Sequence, residues 1–184
     1  MTSFKIFTAA GLGAILSLSI GIAHAEGMRV TSTAFSDNGV MPALYAGEGA
    51  GCGGKGVSPQ VSWSHLPAGT KSVAILLFDP DGNKGLSVSH WVAYNIASEA
   101  GQLKEGAGQV DSADVTVGKN ISGAAAYRGA CPPAGDVPHH YVMTVIASDL
   151  APMSMPKGLN RDELLAALKG HTFAGQSVVG RYGQ

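Results

Sequence analysis

The chain has 184 residues, with 12 Lys and Arg against 13 Asp and Glu, a formal net charge of −1. Only 14% of residues are charged and no Lys/Arg cluster appears, which excludes nucleic acid and a polybasic membrane surface as partners. The length fits one domain with chain enough for a real core, and 26 glycines point to short strands joined by many tight loops.

Residues 1–25 read as a signal peptide. Lys5 supplies a positive start, residues 6–22 form an apolar run broken by Gly and Ser, and Ala23-His24-Ala25 is a small-x-small cleavage site. An uncleaved anchor is the rival reading, and the broken run with its cleavage site argues against it. Cleavage would leave residues 26–184 as one domain, periplasmic or secreted. No second long apolar run follows, so the mature chain is not expected to be an integral membrane protein.

Strand signals then dominate. Residues 28–35 alternate moderately, and Val61-Ser62-Trp63 is a short apolar piece. Residues 72–78 are almost continuously apolar, as in a strand buried on both faces, and 91–96 are rich in β-formers. A short helix is expected within 97–106. Residues 140–148 make the cleanest strand, with Tyr141, Met143, Val145 and Ala147 on one face and Val142, Thr144 and Ile146 on the other. A helix follows: Asn160 caps it, Asp162 and Glu163 occupy its first turn, Leu164, Leu165 and Leu168 form its stripe, and Gly170 stops it. Residues 177–182 read as the last strand. Long Gly/Pro-rich loops at 47–59, 82–89 and 129–138 are of the kind that carry function. The pattern predicts a mainly β fold, an antiparallel β-sandwich of two sheets with a few peripheral helices.

The chain has two cysteines, Cys52 and Cys131. Export would place them in an oxidising compartment, where an even number tends to pair, so a Cys52–Cys131 disulfide is predicted. It would close a loop of about 80 residues, worth about 4–5 kcal/mol on the chain-entropy model, and would stiffen the loop at 129–138.

Two segments carry the chemistry. One is Phe78-Asp79-Pro80-Asp81 leading to His90-Trp91. The other is Tyr127 through Pro133 leading to His139-His140-Tyr141. Taken alone, Asp79-Pro80-Asp81-Gly82 is a turn and each His is a structural residue. The repeated order, strand, polar loop, His beside an aromatic, raises the functional reading. Adjacent strand ends would place Asp79, His90 and His139 on one rim. A carboxylate that accepts from an imidazole fixes its tautomer and raises its basicity, and the imidazole can then donate to a phosphate or carboxylate oxygen. His140 should point away, because neighbouring strand residues face opposite sides, while Pro132 and Pro133 make a rigid wall. There is no G-x-S-x-G, no H-E-x-x-H and no phosphate-cradling glycine loop with Lys. Asp79, His90 and His139 could form a metal or acid/base site, but their spacing matches no standard zinc pattern. No cofactor is expected.

These segments resemble the phosphatidylethanolamine-binding protein family, in its bacterial and archaeal Raf-kinase-inhibitor-like branch. The matching pieces are Ser58-Pro59-Gln60-Val61-Ser62-Trp63, the run from Leu66 to Ser72, Asp79-Pro80-Asp81 with His90-Trp91, Tyr127 through Pro133, His139-x-Tyr141 and Val179-Gly180-x-Tyr182. The resemblance implies a sandwich of two antiparallel sheets with a small anion pocket at one end. Asp79, Asp81, His90, Pro133, His139 and Tyr141 should line it, with Trp91 as a buried support. It further implies phosphate-like head groups as ligands and inhibition of other proteins through surface contacts. An extracytoplasmic protease or a host factor would suit an exported member, with residues 82–89 and 135–137 as contact points. Three departures stand out: Gly82-Asn83 after the Asp-Pro-Asp, Val88-Ser89 before His90, and His140 where the family places Arg.

Overall fold

The computed structural model describes Met1 and residues 27–49 and 51–184; apart from Met1, the expected signal peptide at 1–25 lies outside the described residues. The strands, in chain order, are β1 (Arg29–Thr31), β2 (Gly39–Val40), β3 (Val61–Ser64), β4 (Ser72–Asp79), β5 (Val88–Ala97), β6 (Gln102–Leu103), β7 (Thr116–Val117), β8 (His139–Ser148) and β9 (Thr172–Tyr182). They form a small sheet ordered β1-β3-β6 and a large one ordered β2-β9-β8-β4-β5-β7. Among the described residues every strand-to-strand pairing is antiparallel except one: β2 runs parallel to β9, with Gly39 opposite Gly180 and Val40 opposite Arg181. The expectation of purely antiparallel sheets is corrected at that two-residue edge.

The main core lies between the sheets, where Val30, Val61 and Trp63 meet Val73, Ile75, Leu77, Tyr141, Met143 and Val145. A second cluster covers the outer face of the large sheet, where Ala74, Leu76, Val92 and Tyr94 pack under Leu164 and Leu168 of helix α2 (Arg161–Leu168). β4 therefore has apolar partners on both faces, which is why its sequence does not alternate. Burying each Leu of that helix contributes about 1.5–3 kcal/mol. The helix starts as its sequence demands: the Asn160 side chain accepts from the N–H groups of Asp162 and Glu163, and Glu163 accepts from the N–H of Asn160.

Several boundaries differ from expectation, among them the start of β5, which lies at Val88 and not 91. β1 stops at Thr31 because Ser32 and Thr33 turn onto Gln60, whose Oε1 accepts the N–H of Thr33 at 2.8 Å. The expected helix at 97–106 is a single 3-10 turn, Ser98–Ala100, ended by Gly101 at φ +67. β9 begins at Thr172, before the expected 177, pairing mostly exposed residues against β8. Among the described residues no helix is long and apolar enough to cross a membrane.

Candidate functional site

β4 lies between β8 and β5, so three strand ends meet at one corner of the large sheet. Asp79 closes β4, His139 opens β8, and His90 is the third residue of β5.

Asp79 is the hub, only 3% exposed. Its Oδ1 accepts the backbone N–H groups of Asp81 and Gly82, both at 2.9 Å, and its Oδ2 accepts Nδ1–H of His139 at 2.8 Å. A buried carboxylate is tolerable when its oxygens are met by donors in this way. Gly82 is required by the close approach: a Cβ there would lie 2.8 Å from Cγ2 of Val88 and 3.0 Å from Oδ2 of Asp79.

Both imidazoles have fixed tautomers. His139 gives Nδ1–H to Asp79, leaving Nε2 at 3.8 Å from the exposed Asp136 carboxylate. His90 places Nδ1 at 2.8 Å from the Arg128 carbonyl, which can only accept, so Nδ1 carries the proton of the neutral ring. Its Nε2 is buried, 4.0 Å from Oδ2 of Asp79, and makes no hydrogen bond. Burial pushes His90 below the ordinary imidazole range, outweighing the Arg128 carbonyl and the Asp79 charge.

Tyr141 lies two residues along β8 from His139 and on the same face. Its ring meets His90 edge-on at 5.2 Å between centroids, and its Oη is buried near the Asp79 carboxylate and the Cys131 backbone without a well-formed hydrogen bond to either. Burial, aided by the Asp79 charge, pushes the phenol well above its usual range, so it remains a donor. Asp81 sits on the rim, where its Oδ2 accepts both the backbone N–H and Nδ1–H of His140 at 2.8 Å. Those two bonds, the backbone one first, hold its carboxyl below the usual range.

Asp79, Asp81, His90, Pro133, His139 and Tyr141 all line one cavity of about 350 Å³. His140 is not on its wall and instead anchors Asp81 at the rim. Trp91 is fully buried, donating Nε1–H to the Gly108 carbonyl at 2.7 Å. The predicted disulfide joins Cys52 and Cys131, with Cα atoms 4.9 Å apart, and sets Cys131 into the wall beside Pro132 and Pro133. Arg128, Lys84 and Asp136, expected in the signature segment or at rim contact points and not in the lining, also stand on the cavity wall. Arg128 acts on His90 through a backbone carbonyl, which no side-chain pattern reveals. The wall thus carries three carboxylates, Asp79, Asp81 and Asp136, against the cations Lys84 and Arg128. Among the described residues no group of three or more His, Cys, Asp or Glu side chains is arranged to hold a metal ion.

Two packed sheets with a small cavity at one end, walled by acidic, imidazole and phenol side chains, define a two-sheet β-sandwich. The chain belongs to the phosphatidylethanolamine-binding protein family, whose profile matches residues 31–183. A UPF0098 protein of Aquifex aeolicus is 31% identical over 183 residues, covering 99% of this chain and 95% of its own length. UPF0098 protein YbcL of Escherichia coli is 37% identical over 129 residues, 68% of this chain and 70% of its own. The crystal structure of E. coli YbcL, described as a new member of the mammalian family, superposes with a TM-score of 0.79 at 30% identity, covering 86% of this chain and 99% of that one. A putative family homologue of Chlamydia trachomatis gives a TM-score of 0.73, also at 30% identity, covering 86% of this chain and 98% of its own.

Proposed function

We propose that this is an exported, non-catalytic binding protein whose cavity takes a small phosphorylated or carboxylated anion. One observation carries the reading: two buried polar atoms on the cavity wall, Nε2 of His90 and Oη of Tyr141, make no well-formed hydrogen bond. A buried polar group left unpaired costs about 1–3 kcal/mol. A ligand that enters far enough to reach these atoms would take the Tyr141 proton on an anionic oxygen, and would meet Nε2 of His90 through a protonated oxygen or after that ring takes up a proton.

The wall charge decides how. With three carboxylates facing two cations, bare attraction does not favour an anion. Binding therefore draws on donors: Tyr141 Oη–H, which burial keeps protonated, and Nε2–H of His90, which exists only once that ring takes up a proton. Neutral His90 would acquire its proton together with the anion, and His139, whose Nδ1–H is given to Asp79, would present Nε2 as an acceptor for a protonated ligand oxygen. The same residues are poorly equipped for turnover. The Asp79 oxygens are occupied by donors, Cys131 is in a disulfide, and the Tyr141 phenol holds its proton.

Calorimetric titration with phosphate and phosphoethanolamine tests the reading on wild type, His139→Ala and the double variant His90→Ala/His139→Ala. Saturable binding that weakens in the single variant and vanishes in the double one is expected. Unchanged affinity in the double variant would refute it. Export is tested by N-terminal sequencing of protein recovered from periplasm and medium, with Glu26 expected as the first residue. Recovery only with Met1 would overturn signal cleavage.

A further inference from the structure

The loop that gives Gly82, Asn83 and Lys84 to the cavity gives Leu86 and Ser87 to a second concavity of about 450 Å³. Ser89, Lys119, Ile121 and Arg161 also line it, and the anion reading uses none of them. The loop includes one tight turn, α1 (Gly82–Gly85). Asn83, Lys84 and Ser87 lie at φ +52, +58 and +65. Side-chain-bearing residues adopt this left-handed backbone at a cost of about 1 kcal/mol or more each. The strained loop displays Leu86 at 77% exposure, and Ile121 stands near it at 54%.

The floor is cationic and incompletely paired. Lys119 has no carboxylate partner among the described residues. Arg161 is held over the Phe78 ring at 5.2 Å, with Nη1 3.2 Å from the exposed Asp162 carboxylate. Its Nε, like Oγ of Ser89, is shielded from solvent and makes no hydrogen bond. The first N–H groups of α2 add nothing, because Asn160 occupies them. The concavity thus offers two cations, flanked by exposed apolar side chains.

We propose that this concavity docks an acidic, apolar-bearing segment of a protein partner. A carboxylate of the segment sits on Lys119 and the open edge of the Arg161 guanidinium, and its apolar side chains cover Leu86 and Ile121. The donors fix the charge of the guest. The outward-facing Leu86 and Ile121 fix its size, since a metabolite seated on the floor would leave both in water. Two cations beside Asp162 fall short of the roughly four to eight that a lipid-surface patch carries.

The test is selection from a random-peptide display library on the oxidised protein, followed by anisotropy titration of the enriched peptides. Peptides pairing Asp or Glu with Leu, Ile or Phe are expected. Their affinity should fall roughly tenfold or more in Leu86→Ser and in Lys119→Glu. Both side chains are exposed, so the melting temperature should hold. His90→Leu should leave peptide affinity intact, which separates this surface from the anion cavity. No enrichment, enrichment of basic peptides, or affinity indifferent to both surface variants would overturn the proposal. So would phosphate alone, or vesicles of anionic phospholipid, proving to be the only probe whose binding Lys119→Glu abolishes.

Discussion

The two ends of β5 each bury a polar side chain and treat it in opposite ways. At one end Asn95, 1% exposed, is fully matched: Nδ2 donates to Oγ1 of Thr116 at 3.0 Å and to the Met155 carbonyl at 2.9 Å, and Oδ1 accepts the Met155 N–H at 3.0 Å. At the other, His90 has one nitrogen matched and one left over. The space beside them runs the other way. The cleft at the Asn95 end, walled by Ile96, Leu103, Val115 and Met153, measures about 540 Å³ against about 350 Å³ at the His90 end. Volume favours one end and unmet hydrogen bonds the other. A hydrogen bond completed inside the fold serves stability, and one left open serves a guest, so the smaller space is the better candidate site.

The largest effect should come from the brace of the His90 end. Cys52→Ala/Cys131→Ala removes a crosslink spanning 79 residues and should lower unfolding free energy by about 4 kcal/mol in urea titration. A loss under about 1 kcal/mol would show that the loops at this end are held by other contacts. Next, Asn95→Ala leaves Thr116 and both backbone groups of Met155 unmatched and puts Ala at φ +63. It should cost about 3 kcal/mol with phosphate affinity unchanged, and a fall in affinity would mean the two ends are coupled. His90→Leu should do the reverse. Stability should move by no more than about 1 kcal/mol, while phosphate affinity falls about tenfold or more. A stability loss as large as that of Asn95→Ala would make His90 a structural residue and break the comparison.

The smallest effect is in pH. Burial depresses His90 in the folded state, so below its unfolded value of about 6.5 the unfolded chain binds more protons. Its contribution to stability is therefore present above that value and lost as pH falls toward the folded value. Unfolding curves should show this decline in wild type and a flatter one in His90→Leu. Over the same interval phosphate affinity should rise as pH falls, because the anion favours the protonated ring. An affinity that falls instead would remove His90 as the ligand's donor.

Much of this was legible in the chain. Residues 140–148 alternate plainly, and 72–78 do not, because the first strand has one well-buried face and the second has two. The capping residues at 160–163 locate α2 to the residue. The meeting of Asp79, His90 and His139 was legible from their neighbours, an acid closing one strand and a His beside an aromatic on each of two others, whereas Asp81 and Tyr141 joined the expected lining only through the family resemblance. What stayed hidden acts through backbone or through distance. The Arg128 carbonyl sets a tautomer without using its side chain. β2 pairs with a strand about 140 residues away through two residues that carry no strand signal. The first half of β9, mostly exposed and interrupted by Gly175, has no buried face to betray it.

That remote pairing has a consequence for the order of events. Among the described residues β9 supplies the whole outer flank of β8 and the only strand partner of β2, and the N–H of Val179 reaches back to Oδ1 of Asp37, 142 residues earlier. Contacts of such long range form slowly, and these have no substitute until the last strand has been made. A ribosome would therefore release nearly the entire polypeptide before the sandwich could close. Until then the outer edge of β8 stays open to other strands.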